Sequence, residues 1–242
     1  MRPQSLSVSR TGEGKKLEEI FEFIAGLRSG CDALGLACPD AAAEERLFAY
    51  FRELKHWSRK INLIAKGATD QEILEKHFLD SLTLLPLLGG DRPHLLDVGT
   101  GAGFPGLVCK AVDPTLRVTL VEPRLKRVSF LRHVTRTLGV SDASILACRV
   151  EDEEMLPSDS GFTHITSRAV TEIKVFLEMS RRFAGPGVQV ICMKGPKWEE
   201  ELAVWKDTAS PAHFTLQSRT EYVLPVFQGT RNLLVFEAAC SG

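Results

Sequence analysis

Apolar positions divide the chain into two regimes. Over residues 16–90 they recur at helical spacing. Leu17, Ile20, Phe21, Ile24 and Leu27 form one stripe in a helix expected over 16–28, and Leu47, Tyr50, Phe51, Leu54 and Trp57 form another over 41–59. Trp57 sits on the second stripe and reads as core. A short helix is expected over 70–76, and helical character continues over 79–88. From Pro93 onward, short apolar runs bounded by Gly, Pro or Asp alternate with amphipathic stretches. Strands are predicted at 94–98, 117–121, 143–147, 162–167, 188–193, 214–222 and 232–237, and helices at 105–111, 125–138, 171–183 and 197–207. Near-continuous apolar strands alternating with helices imply a mostly parallel sheet covered on both faces. The last two strands are joined over 224–231 with no helix, which predicts a closing antiparallel hairpin.

The expected layout is a disordered tail at 1–15, a helical extension at 16–90 and an α/β domain at 91–242 of the 242 residues. Apolar residues make up 44% and charged residues 25%, enough for a core without staples. The six cysteines (Cys31, Cys38, Cys109, Cys148, Cys192 and Cys240) include no CxxC pair and no close Cys/His cluster, so no metal site is expected. Cys109 and Cys192, flanked by apolar residues, read as reduced core residues. The polar residues 1–16 contain no apolar segment of a secretory signal, and no run of about 18 apolar residues marks a membrane span. These features point to the cytoplasm. Nothing in the residues argues for an oligomer, so a monomer is expected.

Net charge is −1, which does not announce a nucleic-acid binder. Its distribution is more informative. Arg124, Lys126, Arg127, Arg132 and Arg136 gather on one predicted helix, whereas 151–154 are four consecutive acids. The basic helix reads equally as a phosphate-tracking face or a solvated one.

The strongest local signal runs from Asp97 to Gly106, following the first predicted strand and opening a helix. Glycines at 99, 101 and 103 permit a tight turn and close backbone approach to a ligand. Pro105 suits the first turn of the next helix. The spacing is G-x-G-x-G, not the dinucleotide fingerprint G-x-G-x-x-G, whose third glycine would fall at Phe104. It resembles motif I of Rossmann-like S-adenosylmethionine methyltransferases. That motif assigns Asp97, Gly99 and Gly101 to the cofactor site. A nicotinamide-binding reading stays open at this point. Glu122 ends the next predicted strand about one crossover length downstream, where a carboxylate can accept from two ribose hydroxyls. A solvated strand-end acid is the competing reading. Val150 and Glu151 follow the third strand, beside the place of an adenine in such a fold, although Glu151 also fits a helix N-terminus.

Further motifs occur in order: Asn62-Leu63-Ile64, His77-Phe78-Leu79-Asp80-Ser81-Leu82, the glycine loop, Lys126-Arg127 with Phe130-Leu131, Arg149-Val150-Glu151, Ser167-Arg168-Ala169 and Lys194-Gly195. Over about residues 45–237 this set resembles the bacterial small-subunit ribosomal RNA guanine-N7 methyltransferases, also called glucose-inhibited division protein B. The glycine loop alone is common to many methyltransferases, and the combination is much more specific. Ile64, where the family usually has Thr, and Glu122-Pro123-Arg124 depart from the commoner pattern at the pocket rim.

The resemblance implies a Rossmann-like fold with a seven-stranded, mostly parallel sheet, and S-adenosyl-L-methionine as cofactor. It implies methyl transfer to N7 of one guanine in the decoding-region hairpin of 16S rRNA. Gly99, Phe104, Val150, Glu151 and Arg168 would line the cofactor site, with Glu122 on the ribose. Guanine N7 has an available lone pair, so no general base is expected. Arg168 and Lys194, at the carboxyl ends of strands, are expected to position the reactants. Arg149, Lys194, Arg124 and Arg127 are candidate RNA contacts, against surface ion pairing. His77 and Asp80, at i and i+3, either cover the cofactor, pair with each other or are structural. A small-molecule or protein methyltransferase, a nicotinamide-dependent reductase and a non-catalytic ribosome-assembly factor are the alternatives.

Overall fold

A computed structural model describes residues 12–168, 171–208 and 213–238. Cys240, Ala169 and residues 1–11 of the expected tail lie outside them. Helix α1 spans Gly12–Ala33, so residues 12–15 are helical and not tail. Helix α2 is Ala41–Ser58, capped by Asp40, whose Oδ1 accepts from the Ala43 N–H at 2.7 Å. A capping box of Thr69 and Glu72 starts α3 (Asp70–Ile73). The chain then runs without a break through a π turn (Leu74–Leu79), α4 (Asp80–Leu82) and a 3-10 turn (Leu85–Leu87). A π turn spans the end of the helix expected over 70–76 and leads into the helical character expected from residue 79.

Among the described residues seven strands form one sheet in the order β3-β2-β1-β4-β5-β7-β6. They are β1 His94–Val98, β2 Arg117–Val121, β3 Ala143–Leu146, β4 His164–Arg168, β5 Gln189–Lys194, β6 Phe214–Val223 and β7 Thr230–Ala238. The first five pair in parallel, and β7 is antiparallel to both β5 and β6. Between them lie α5 (Gly106–Val112), α6 (Leu125–Leu138), α7 (Ile173–Ser180) and α8 (Trp198–Lys206). The predicted fold class and the closing hairpin hold. The order reverses beside β1, between β2 and β4. In open α/β sheets ligands bind at the carboxyl ends of strands at such a switch point.

Alternate residues of each central strand enter opposite layers. Leu95, Val118, Leu120, Ile191, Met193, Leu233 and Val235 pack with α1, α2, α5 and α6. Leu96, Val98, Val121, Val190, Cys192, Leu234 and Phe236 pack with α7 and α8. The helical N-terminal region shares the first of these cores with the sheet. Its aromatic center is Phe78, fully buried, with ring centroids 5.6 Å from Phe23 and Phe104 and 5.3 Å from Tyr50. The expected stripe on α1 is rotated: Leu17 and Phe21 are exposed, and Phe23, Leu27 and Cys31 face inward. Trp57 is half-buried against Phe130 and His133, as expected of a packing residue. Cys109 and Cys192 are buried free thiols. Among the described residues no helix is long and apolar enough to cross a membrane.

Removing the Phe78 ring should cost about 3–5 kcal/mol, because it leaves a cavity where α1, α2 and the glycine loop meet. Phe78→Ala should show this in urea unfolding, whereas Phe21→Ala, at 69% exposure, should stay within about 0.5 kcal/mol of wild type. Equal losses in the two variants would contradict the inward face described for α1.

Candidate active site

The glycine loop after β1 is held from three sides. Beneath it, Asp97 is fully buried, and its Oδ2 accepts from Thr100 Oγ1 at 2.7 Å and from the Gly106 N–H at 2.8 Å. These bonds fold the loop back onto the start of α5. A Cβ on Gly106 would come within 2.9 Å of that oxygen, so the position requires glycine. Asp97 therefore braces the loop from behind and is not among the residues that line the cleft. Burial pushes its carboxyl up to about 6, with the bonds from Thr100 and Gly106 and the charge of Arg168 acting the other way.

Behind the loop tip stands α2. The Tyr50 hydroxyl donates to the Ala102 carbonyl, and its ring stacks on Phe104 at 5.5 Å. Gly103 has φ +97°, and a Cβ there would collide with the Tyr50 hydroxyl. At this glycine the close approach expected of a ligand is made by a tyrosine. The third support is Glu122, only 3% exposed, at the tip of β2. Its Oε1 accepts from the Arg124 N–H at 2.9 Å and its Oε2 from the Gly101 N–H at 3.1 Å. Arg127 Nη1 lies 3.5 Å from the same Oε2.

These elements border a cleft of about 1030 Å³. Gly99, Gly101, Phe104, Glu122, Arg124, Arg127, Arg168 and Lys194 all line it. Arg149, Val150 and Glu151 are not among the lining residues. Arg149 and Glu151 are exposed, and Val150 is buried with its carbonyl accepting from Arg182 Nη2 at 2.6 Å. The acids at 151–154 form a turn, in which Asp152 Oδ1 accepts from the Met155 N–H, and not a helix N-terminus.

Arg168 closes the opposite wall from the end of β4. Its Nη1 donates to the Lys76 carbonyl at 2.7 Å and pairs with Asp80 Oδ2 at 3.1 Å. Its Nη2 donates to His77 Nδ1 at 3.0 Å, and its guanidinium lies 5.0 Å from the Phe104 ring centroid. His77 also stacks on Phe104, at 4.9 Å. Thus His77 and Asp80 do not pair with each other; both are tied to Arg168. Asp80 Oδ1 further accepts from the Tyr222 hydroxyl at 2.8 Å and lies 3.6 Å from Arg231 Nε. Burial, then the charges of Arg168 and Lys76, push the imidazole of His77 down to about 3, so it is neutral at physiological pH. A guanidinium only donates, so Nδ1 must be the unprotonated nitrogen and Nε2 must carry the hydrogen.

Lys194, at the end of β5, lies 2.7 Å from Glu201 Oε2 and donates to the Thr171 carbonyl. Its ion-pair partner is thus on α8 and not in the run 151–154. Tyr50, Lys76, Thr171, Glu201, Tyr222 and Arg231 carry no motif signal. Their roles arise from contacts across large separations, 142 residues for Tyr222 and Asp80. Among the described residues no cluster of three or more His, Cys, Asp or Glu is arranged to hold a metal.

A family model described as rRNA small subunit methyltransferase G matches residues 43–234. The ribosomal RNA small subunit methyltransferase G of Desulfotalea psychrophila is 49% identical over 215 residues, covering 89% of this chain and 98% of that protein. Among solved structures, precorrin-6y C5,15-methyltransferase of Geobacter metallireducens aligns with TM-score 0.51 at 12% identity, over 74% of this chain and 95% of that one. The TYW2 protein of P. horikoshii, solved in complex with MeSAdo, aligns with TM-score 0.53 at 15% identity, over 68% of this chain and 63% of that one. These two structures share the fold.

The buried acid under the loop carries a pH signature. A carboxyl raised from an ordinary 3.8 to about 6 on folding favours the folded state below pH 3.8, and that contribution is lost as pH rises through about 6. Asp97→Asn removes the titration and keeps an oxygen for Thr100 and Gly106. Between pH 4 and 7 wild type should lose about 2–3 kcal/mol relative to this variant in urea unfolding. A constant difference across that range would show that Asp97 titrates normally.

Proposed function

The chain belongs to the rRNA small subunit methyltransferase G family, and on that premise we propose that it moves the methyl group of S-adenosylmethionine to N7 of a guanine in the decoding-region hairpin of 16S rRNA, as a cytoplasmic monomer. The observation that carries the cofactor assignment is Glu122. Two backbone N–H groups fix its carboxylate at the mouth of the switch-point crevice. Each oxygen has a second lone pair, so the pair can accept from a ribose diol without giving up these bonds. The cleft, at about 1030 Å³, has room for a nucleoside cofactor and a purine together.

S-adenosylmethionine supplies a methyl group on a positively charged sulfur. The chain's task is alignment, since N7 needs no deprotonation before it attacks. Arg168, the fixed cation of the far wall, takes the methionine carboxylate, and Lys194 steadies the wall from β5. Positive charge passes to the purine as the methyl moves, and a cation against the ring would oppose it. His77 avoids that conflict. Held neutral with hydrogen on Nε2, it donates to guanine O6, on the same edge as N7. Val150 and Glu151 flank the adenine, while Arg124, Arg127 and Arg149 meet phosphates on the rim. The target base enters splayed from its loop.

Small ribosomal subunits from cells lacking the enzyme, incubated with labelled cofactor, should acquire label on one guanine, mapped as the N7 derivative. Label on protein or small molecules with none on rRNA would refute the substrate; heat protection by a dinucleotide and not by S-adenosylhomocysteine would refute the cofactor. Glu122→Ala should weaken S-adenosylhomocysteine binding about ten- to a hundredfold. His77→Phe, which keeps the stack and loses the donor, should lower kcat about tenfold with unchanged cofactor affinity, and His77→Gln should restore part of the rate. If His77→Phe turned over as fast as wild type, the O6 assignment would fall.

A further inference from the structure

The loop joining β6 to β7 ends in an apolar tip that the protein holds out in solvent. Val226 is 59% exposed and Phe227 37%. The tip is anchored from below. Glu75, fully buried in the π turn, accepts from the Val226 N–H at 2.7 Å and the Phe227 N–H at 3.3 Å. Leu224, also fully buried, donates from its N–H to the Gly229 carbonyl at 3.1 Å and accepts from the Gln228 N–H at 2.9 Å. A carboxylate is costly to bury, and here its compensation is the backbone of this tip. Two exposed apolar side chains are thus presented by a pinned loop, where a slack one would be free to tuck them away.

The neighbour of the tip indicates what it meets. Lys76 Nζ lies 4.2 Å from the Phe227 ring centroid and 2.8 Å from Glu72 Oε1, an ion pair open enough to solvent to share its cation, and Lys76 also lines the cleft, together with Arg168 and Arg231. The tip is therefore one side chain away from the site, on a side rich in cations. A flat ring beside a cation suits a partner that joins negative charge to flat π faces, which is a single-stranded nucleic acid. Resting on the rRNA reading above, we propose that the Val226–Phe227 tip is a stacking platform for an unpaired nucleobase near the target guanine, with Lys76 on the adjoining phosphate. The base takes the ring face away from Lys76, and Val226 packs against its edge.

The test is the KM for small subunits with Phe227 and Val226 variants, with S-adenosylhomocysteine affinity as control. Phe227→Ala and Phe227→Leu should each raise KM about five- to a hundredfold, the range of one lost base stack. Phe227→Trp should restore it, and cofactor affinity should not move. A photoreactive phenylalanine analogue placed at the exposed position 226 should crosslink to rRNA. Wild-type KM in Phe227→Leu, or a crosslink to a ribosomal protein instead of rRNA, would overturn the platform while wild-type methylation stands. A wild-type enzyme that labels no rRNA would overturn the activity itself and the platform with it.

Discussion

Arg168 is where the parts of the molecule meet. Its strand, β4, lies at the center of the sheet, yet all its polar partners come from the π-turn segment that precedes the sheet in sequence. Asp80 then carries the connection to the hairpin through Tyr222 and Arg231. The pair is well desolvated, with side-chain exposures of 17% and 5%. Breaking such a pair costs about 3–5 kcal/mol, because one charge is left buried and unpaired. Helical region, sheet and hairpin consequently hold one relative arrangement, and the walls of the cleft inherit it. The π turn belongs to this logic. It shifts the ladder so that the Asp80 N–H bonds to the Glu75 carbonyl, and the Lys76 carbonyl at the bulge accepts from the guanidinium.

The same economy governs the acids around the loop. Asp97, Glu122, Asp80 and Glu75 are all nearly or fully buried; Glu122, Asp80 and Glu75 are answered by donors from other chain segments, and Asp97 by Thr100 and Gly106 of its own loop through Oδ2. An unanswered buried carboxylate would be far more costly than any of these contacts is favourable. The acids therefore act as selectors of geometry. The arrangement of loop, strand tips and hairpin that supplies these donors together leaves a cleft at the switch point.

Much of this was legible from the residues, for identifiable reasons. Strands 94–98 and 117–121 and helix 125–138 were predicted to the residue, because apolar runs buried on both faces stop at Gly, Pro or Asp. The loop and Glu122 were legible because their spacing follows from βαβ geometry. The inward face of α1 was not, since apolar residues surround that helix and its packing chooses Phe23 over Phe21. The bonds of Asp97 to Thr100 and Gly106 were not legible: spacing locates an acid in the loop but does not say which backbone and hydroxyl groups it binds. The partners of Arg168 were equally hidden, since the contact to Lys76 spans 92 residues. Motif order recorded that His77, Asp80 and Arg168 belong together, and only the fold shows that the first two converge on the third.

Charge placement gives the site its direction. Its cations stand on the rim or are neutralised by a partner: Lys194 by Glu201, Arg168 by Asp80, Arg127 beside Glu122. The polar group stacked against Phe104 beside Arg168 is a neutral imidazole. A wall built this way attracts anionic parts of its ligands to the edges and leaves the middle without net positive charge. Such a distribution suits the methyl transfer proposed above, in which positive charge would pass to a neutral ring.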